Sequence, residues 1–410
     1  MAITAAHQVE RKASGVTAAQ GFRAATACAD VRGEGGVRPD VVILTSEVPA
    51  AAAGVFTQNR VKAAPVVISQ LHLKRGVARA VVVNSGNANA CTGSQGLADA
   101  LRMVQTAADV ADCAPGEVLV ASTGVIGRTM PMERIRAAII EAGGRLDAVN
   151  GHLAAEAIMT TDTRPKESVA QFVAGDVTHT VGGMAKGAGM IHPDMATLLA
   201  FVTTDARVAP ELLSDLLRTA VHSSFNTISI DGDTSTNDTC LILANGTARG
   251  PELVGGTPGA DLFAAALGAV LLDLAEQIVA DGEGVTKTFS VRILGALDEH
   301  QASLAARTVT SSPLVKTAIH GGDPNWGRIL MAVGRSGAEL ALDRCRLRIA
   351  GQELFALGRP TPVSLDQVAK SLGQTRIAIE IDLGVGEAEA TALGCDLTLD
   401  YVRINAEYST

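Results

Sequence analysis

Lys186-Gly-Ala-Gly-Met-Ile-His-Pro-Asp-Met-Ala196-Thr197 puts a threonine behind a glycine-rich, turn-prone approach. The same threonine heads an apolar run, Leu198-Leu-Ala-Phe-Val202. A threonine hydroxyl is a poor nucleophile at neutral pH unless a base sits beside it. If the chain opens between Ala196 and Thr197, the freed α-amine becomes that base, carried by the nucleophile itself. Such an amine has a reference pKa of about 7.7–8.0, so a useful fraction is neutral near pH 7. Upstream, Gly182-Gly-Met-Ala-Lys-Gly-Ala-Gly189 predicts a flexible segment able to fit a strained turn. Strain of that kind brings a hydroxyl onto the preceding carbonyl. Taken by itself, an Ala-Thr pair after a Pro-Asp turn is an ordinary strand start, so the rest of the chain has to decide.

On either side, short β-like runs alternate with Ala-rich helical stretches. Val41-Val-Ile-Leu-Thr45, Ala80-Val-Val-Val83 and Val118-Leu-Val-Ala121 read as buried strands. Residues 96–111, 132–142 and 209–222 carry helical spacing, with Leu216, Leu217, Ala220 and Val221 as a one-sided stripe. Residues 261–280 predict an amphipathic helix ended by Asp281-Gly282. Arg346-Leu-Arg-Ile-Ala350 and Arg376-Ile-Ala-Ile-Glu-Ile-Asp382 add strands near the C-terminus. The pattern predicts an α+β fold of mixed, layered helices and sheets, without fixing strand order. At 410 residues the chain is about twice the usual domain size, which predicts two large lobes.

Composition narrows the function. With 47% hydrophobic and 19% charged residues the chain is compact and ordered. Aromatics are only 3%, so Ala, Val, Leu and Ile must build the core. A net charge of −9 and no Lys/Arg-rich run exclude nucleic acid as a partner. Cys28, Cys91, Cys113, Cys240, Cys345 and Cys395 form no CxxC pair, which predicts reduced thiols and neither a disulfide scaffold nor a metal site. Met1 to Lys12 lacks the apolar segment of a signal peptide. The longest apolar run, Leu262 to Leu272, is eleven residues against the roughly 20 that span a bilayer. The expectation is a cytoplasmic protein away from membranes.

Four further segments carry reactive or binding groups. Ala121-Ser-Thr-Gly-Val-Ile-Gly127 follows a strand, and a Thr-Gly turn there can aim N–H and hydroxyl donors at an oxyanion. No GxxxxGK[ST] phosphate loop is present. Met159-Thr-Thr-Asp-Thr-Arg-Pro-Lys166 packs hydroxyls, a carboxylate and cations together, as a zwitterion site or a polar loop would. Ile278-Val-Ala-Asp-Gly-Glu-Gly-Val-Thr-Lys287 sets Glu283 between glycines, where a carboxylate can meet an ammonium. His320-Gly-Gly-Asp-Pro-Asn-Trp-Gly-Arg328 is a turn holding the single tryptophan. His192 and Asp194 would suit a His-assisted hydrolase, but Pro193 lies between them and no G-x-S-x-G elbow surrounds Thr197.

Together with Val55-Phe-Thr-Gln-Asn-Arg60, Asn84-Ser-Gly-Asn-Ala-Asn-Ala-Cys-Thr-Gly93 and the tail Tyr401-Val-Arg-Ile-Asn-Ala-Glu-Tyr408, these segments give nearly the whole chain one pattern. It resembles the ornithine acetyltransferase family, the glutamate N-acetyltransferases of the cyclic arginine pathway. The resemblance implies a fold shared with N-terminal-nucleophile amidases. It also implies self-cleavage into an α chain, 1–196, and a β chain, 197–410, assembled as an α2β2 heterotetramer. Thr197 matches the nucleophile, Ala196 the residue before the cut, and Thr123 and Gly124 the oxyanion-hole pair. Thr163, Lys186, Thr197, Glu283, Asn405 and Thr410 match substrate-binding positions. His192-Pro-Asp194 departs from the wording expected there, while the threonine register is intact.

The resemblance implies N2-acetylornithine and glutamate as substrates, with no cofactor and no metal. Lys186 and the tail residues would hold the shared α-carboxylate, and Glu283 the ornithine side-chain ammonium. Whether acetyl-CoA also donates, making the enzyme an N-acetylglutamate synthase too, is not legible in these residues. The alternatives are an amidase or aminopeptidase with water as acceptor, a secondary-metabolism paralogue, and a non-catalytic amino-acid-binding protein.

Overall fold

The computed structural model describes residues 14–192 and 198–407. The Ala196–Thr197 junction, Asp194, Thr410 and the polar stretch Met1–Lys12 lie outside the described residues.

Two sheets, each with its own helices, organise the described chain. In the first, spatial order runs β4 (Val118–Ser122), β3 (Val77–Asn84), β2 (Val41–Phe56), β9 (Thr239–Ala244), β7 (Leu199–Thr204), β6 (Val177–Lys186), β5 (Lys166–Ala174), with β1 (Phe22–Ala27) also on β2. The 16-residue β2 is the spine. Its first half pairs with β1, its second half with β9, and β3 runs alongside from Val41 to Ala51 with a register shift between Thr45 and Ala50. A break of this sort bends a strand. Val42, Leu44, Val81, Val83 and Leu119 from one arm accordingly share a core with Met184, Leu199, Phe201, Leu241 and Leu243 from the other. The sheet therefore folds over on itself as two facing layers.

Helices cover both outer faces. Ile43, Val82 and Val120 pack on Met103, Ile135 and Ile139 of the helices Gly93–Ala111 and Met132–Gly143. On the other side Val181, Ala200, Val202 and Ile242 pack on Pro210–His222 and Pro258–Val279. The latter helix starts at Pro258 with the Thr257 hydroxyl accepting from Ala260 N–H, a sound N-terminal cap. Phe263, Leu267, Val270, Leu271, Leu274 and Ile278 recur at helical spacing and are buried, each contributing about 1.5–3 kcal/mol. This helix is long and apolar enough to cross a membrane, yet 56% of its apolar window is buried inside the molecule. It is a core helix.

The second sheet runs β13 (Arg359–Pro360), β12 (Gln352–Ala356), β11 (Arg346–Ile349), β14 (Arg376–Asp382), β10 (Thr288–Ala296), β15 (Ala388–Cys395), β8 (Ile228–Ser229). Val291, Ile293, Ile379 and Ile381 lie with Ala305 and Val309 of the helix Glu299–Thr310 in a separate core. From β8 in this sheet the chain crosses to β9 in the first through residues 230–238.

The layered α+β expectation is met, and so are the expected strands and helices. One reading changes. Gly182 and Gly183 are not in a flexible turn but inside β6, paired with Val169 and Ser168. An added Cβ on Gly182 would stand 2.2 Å from the Gly15 carbonyl, so close packing demands glycine there. The segments on either side of 196/197 interleave in the first sheet. Strands β7 and β9, from beyond the junction, lie between β2 and β6 from before it.

Candidate active site

A cavity of about 450 Å³ opens where the first sheet, the 230–238 crossover and the C-terminal helix Leu399–Glu407 meet. Thr123, Gly124, Lys186, Glu283 and Asn405 line it. These five candidates come from distant parts of the sequence and from both sides of the junction.

Thr123 and Gly124 sit just past the end of β4. Thr123 N–H donates to Asn84 carbonyl oxygen at 3.0 Å, and Ser122 Oγ donates to Asn84 Oδ1 at 2.6 Å. Gly124 has φ 130°, and a Cβ there would meet the Gly86 carbonyl carbon at 2.3 Å. Only glycine lets this turn lie against the 84–87 strand end.

Lys186 ends β6 and is buried. Burial holds its ammonium pKa below the ordinary range, while Asp162, Glu283 and Asp238 oppose that shift. Its ammonium lies 3.9 Å from Asp162 Oδ2. Behind it, Lys166 Nζ lies 2.7 Å from Asp162 Oδ1 and 2.6 Å from Asp281 Oδ2, all buried. Burial alone would raise the Asp162 carboxyl, but Lys186 and Lys166 hold it well below the usual carboxylate range. Lys186 thus presents a positive charge to the cavity from a fixed, charge-matched base.

Glu283 faces it from the turn after Pro258–Val279. Its N–H donates to Ala188 carbonyl oxygen at 2.8 Å, tying the turn to the segment before the junction. Asn405 Nδ2 donates to Glu283 Oε2 at 2.7 Å. A Cβ on Gly189 would stand 2.5 Å from that same oxygen. Asn405 is thereby paired with Glu283, and both line the same cavity as Lys186.

Thr163 is exposed and does not line the cavity; its N–H and hydroxyl both donate to the Asp281 carboxylate. Thr160 and Thr161 take its place at the wall. His192 Nδ1 lies 3.2 Å from Ser229 Oγ. His320 pairs with Asp396 at 2.9 Å and Trp326 packs on Phe355, so the 320–328 turn braces the second sheet and does not line the cavity. The six cysteines are free thiols. Among the described residues no group of three or more His, Cys, Asp or Glu gathers as for a metal.

The cavity thus gathers a buried ammonium, carboxylates and the Thr123–Gly124 turn within one wall. The sequence model of the ArgJ family matches residues 23–410. This chain belongs to the ArgJ family. The arginine biosynthesis bifunctional protein ArgJ of Symbiobacterium thermophilum is 50% identical over 402 residues, 98% of this chain and all of that one. A solved arginine biosynthesis bifunctional protein ArgJ from Bacillus halodurans is 40% identical, with a TM-score of 0.50, covering 51% of this chain and 98% of that chain. A Mycobacterium tuberculosis ornithine acetyltransferase solved with ornithine is 42% identical, with a TM-score of 0.43, covering 47% and 98%.

Several lining residues of this ArgJ-family chain escaped the sequence reading: Asp231, Asp233 and Asn237. Asp231 accepts from Met190 N–H at 2.5 Å and Ile191 N–H at 2.9 Å, and Tyr401 OH donates to it at 3.2 Å. Burial raises the Asp231 carboxyl, and burial beside Asp231 raises the Tyr401 hydroxyl. The signal was Asp231-Gly-Asp-Thr-Ser-Thr-Asn-Asp238, eight polar or glycine residues set between apolar runs. A polar stretch flanked by core strands needs partners, and here they line a cavity.

Proposed function

We propose that the chain cleaves itself between Ala196 and Thr197 and then moves the acetyl group of N2-acetylornithine to glutamate through Thr197. Membership in the ArgJ family makes it an acyltransferase of arginine biosynthesis. The observation that carries the finer reading is the single cavity joining Thr123–Gly124, Lys186, Glu283 and Asn405 beside the segments that flank the junction.

In this reading Thr197 Oγ attacks the Ala196 carbonyl, and water opens the resulting ester. The new α-amine of Thr197 deprotonates its own hydroxyl, which attacks the acetyl carbonyl of N2-acetylornithine. Ornithine leaves with the returned proton; glutamate then takes the acetyl group by the reverse path, a ping-pong cycle. Thr123 and Gly124 stabilise each tetrahedral oxyanion. Lys186 holds the α-carboxylate that both substrates share. Glu283, steadied by Asn405, holds the ornithine side-chain ammonium. The chains 1–196 and 197–410 assemble as an α2β2 heterotetramer in the cytoplasm. The half-length Bacillus halodurans chain supports a two-chain product.

The test is acceptor dependence. N2-acetylornithine turnover should require glutamate and vanish in Thr197→Ala. Brisk ornithine release without glutamate would favour the amidase reading instead. Labelled acetyl-CoA, offered with glutamate, decides whether it serves as a second donor.

A further inference from the structure

The helix Leu399–Glu407 supplies Tyr401 and Asn405 to the cavity wall, yet none of its nine residues is buried. So short a helix is marginal by itself in water, and without a buried apolar face it gains little from the core. Polar contacts must therefore fix where it lies. Ahead of it, Thr398 Oγ donates to the Gly284 carbonyl at 2.8 Å and accepts from Tyr401 N–H at 3.1 Å. A Cβ on Gly284 would stand 2.5 Å from Tyr401 N, so the helix start and the Glu283 turn meet backbone to backbone.

Tyr401 and Asn405 are four residues apart, so their side chains leave the same face of the helix. Tyr401 OH donates to Asp231 Oδ2 at 3.2 Å. Asn405 Nδ2 donates to Glu283 Oε2 at 2.7 Å and to the Tyr401 carbonyl at 3.0 Å. Asp231 is a fixed anchor, because its two oxygens also take the N–H groups of Met190, Ile191 and Asp233. The Ile191 carbonyl returns the contact by accepting from Ile230 N–H at 2.8 Å. Tyr401 therefore ties the C-terminal helix to the 230–238 crossover and, through Asp231, to the end of the 186–191 segment. Asn405, one turn further along the helix, carries that placement to the Glu283 carboxylate.

We propose that Tyr401 is a positioning residue for the donor substrate. Its hydroxyl, latched on Asp231, sets the C-terminal helix so that Asn405 holds the Glu283 carboxylate ready for the ornithine side-chain ammonium. This rests on the reading of Glu283 given above. Glutamate carries no side-chain ammonium, so the latch acts on the donor and not on the acceptor. It works through binding and leaves the acetyl-transfer step alone.

Tyr401→Phe removes one oxygen and keeps the ring. It should raise the KM for N2-acetylornithine by about 3- to 10-fold, the effect of losing one hydrogen bond, with kcat held within about twofold. The KM for glutamate should also stay within about twofold. The double variant Tyr401→Phe with Glu283→Gln separates positioning from contact. If Tyr401 acts only through Glu283, the pair should show the N2-acetylornithine KM of Glu283→Gln alone. Effects that multiply would make Tyr401 a substrate contact in its own right and overturn the assignment. So would a Tyr401→Phe enzyme with wild-type KM, or with equal losses on both substrates. A Glu283→Gln enzyme with wild-type KM for N2-acetylornithine would instead remove the ammonium reading, and the latch with it.

Discussion

At Gly124 the backbone runs at φ 130° against the Gly86–Asn87 strand end, with no room for a Cβ. Gly124→Ala must shift the turn and misaim a donor; kcat should fall about 10²–10³-fold, measured at saturating N2-acetylornithine. A near-wild-type rate would remove Gly124 from the oxyanion role. Glu283 and Lys186 are separable by substrate. Glu283→Gln should raise KM for N2-acetylornithine well above any change for glutamate, whereas equal losses on both would contradict an ammonium site. Beneath them, Lys166 neutralises Asp162 and Asp281. Lys166→Met strands two buried carboxylates and should cost about 3–5 kcal/mol in denaturant unfolding. Asp162 has its folded pKa below the unfolded value of about 3.9, so its contribution is present above that pH and is lost as pH falls towards the folded value. Thr163 is the sequence candidate that the structure sets apart from the cavity wall. Its hydroxyl faces Asp281 while Thr160 and Thr161 face the cavity, a choice of side within one short loop that spacing does not encode.

Hairpin β5–β6 carries a buried histidine. Phe172 and His179 are register partners whose rings stack at 5.1 Å, and His179 is fully buried. Burial lowers the His179 pKa, against a weaker opposing pull from Asp205. The unfolded chain then binds more protons below about pH 6.5, so stability should fall as pH drops through that value. A melting series from pH 8 to 5 should show this, and His179→Gln should flatten it; an unchanged slope in the variant would assign the effect elsewhere. At this scale the sequence was informative wherever apolar periodicity was strong, as in β14, read as 376–382 and found as Arg376–Asp382. It failed at Gly182–Gly183, because a glycine inside a strand and a glycine in a turn look alike until Gly15 is seen packed on top.

The two lobes and the layered class were legible from length and alternation, but the folding-over of the first sheet was not. That depends on the bend in β2 and on β7 and β9 slotting between strands from the other side of the junction. This interleaving has a consequence for the whole molecule. Fragments 1–196 and 197–410 share one hydrogen-bonded sheet, so they should co-elute in native buffer and separate only in denaturant. An α2β2 assembly should sediment at twice the 42.0 kDa chain mass; a species at the single-chain mass would exclude it. The most direct measurement is intact mass spectrometry of the purified protein after brief exposure to N2-acetylornithine. The chemistry proposed for Thr197 requires two fragments split at 196/197, with an added mass of about 42 Da, one acetyl group, on the Thr197 fragment alone. An uncut chain without that adduct would contradict it.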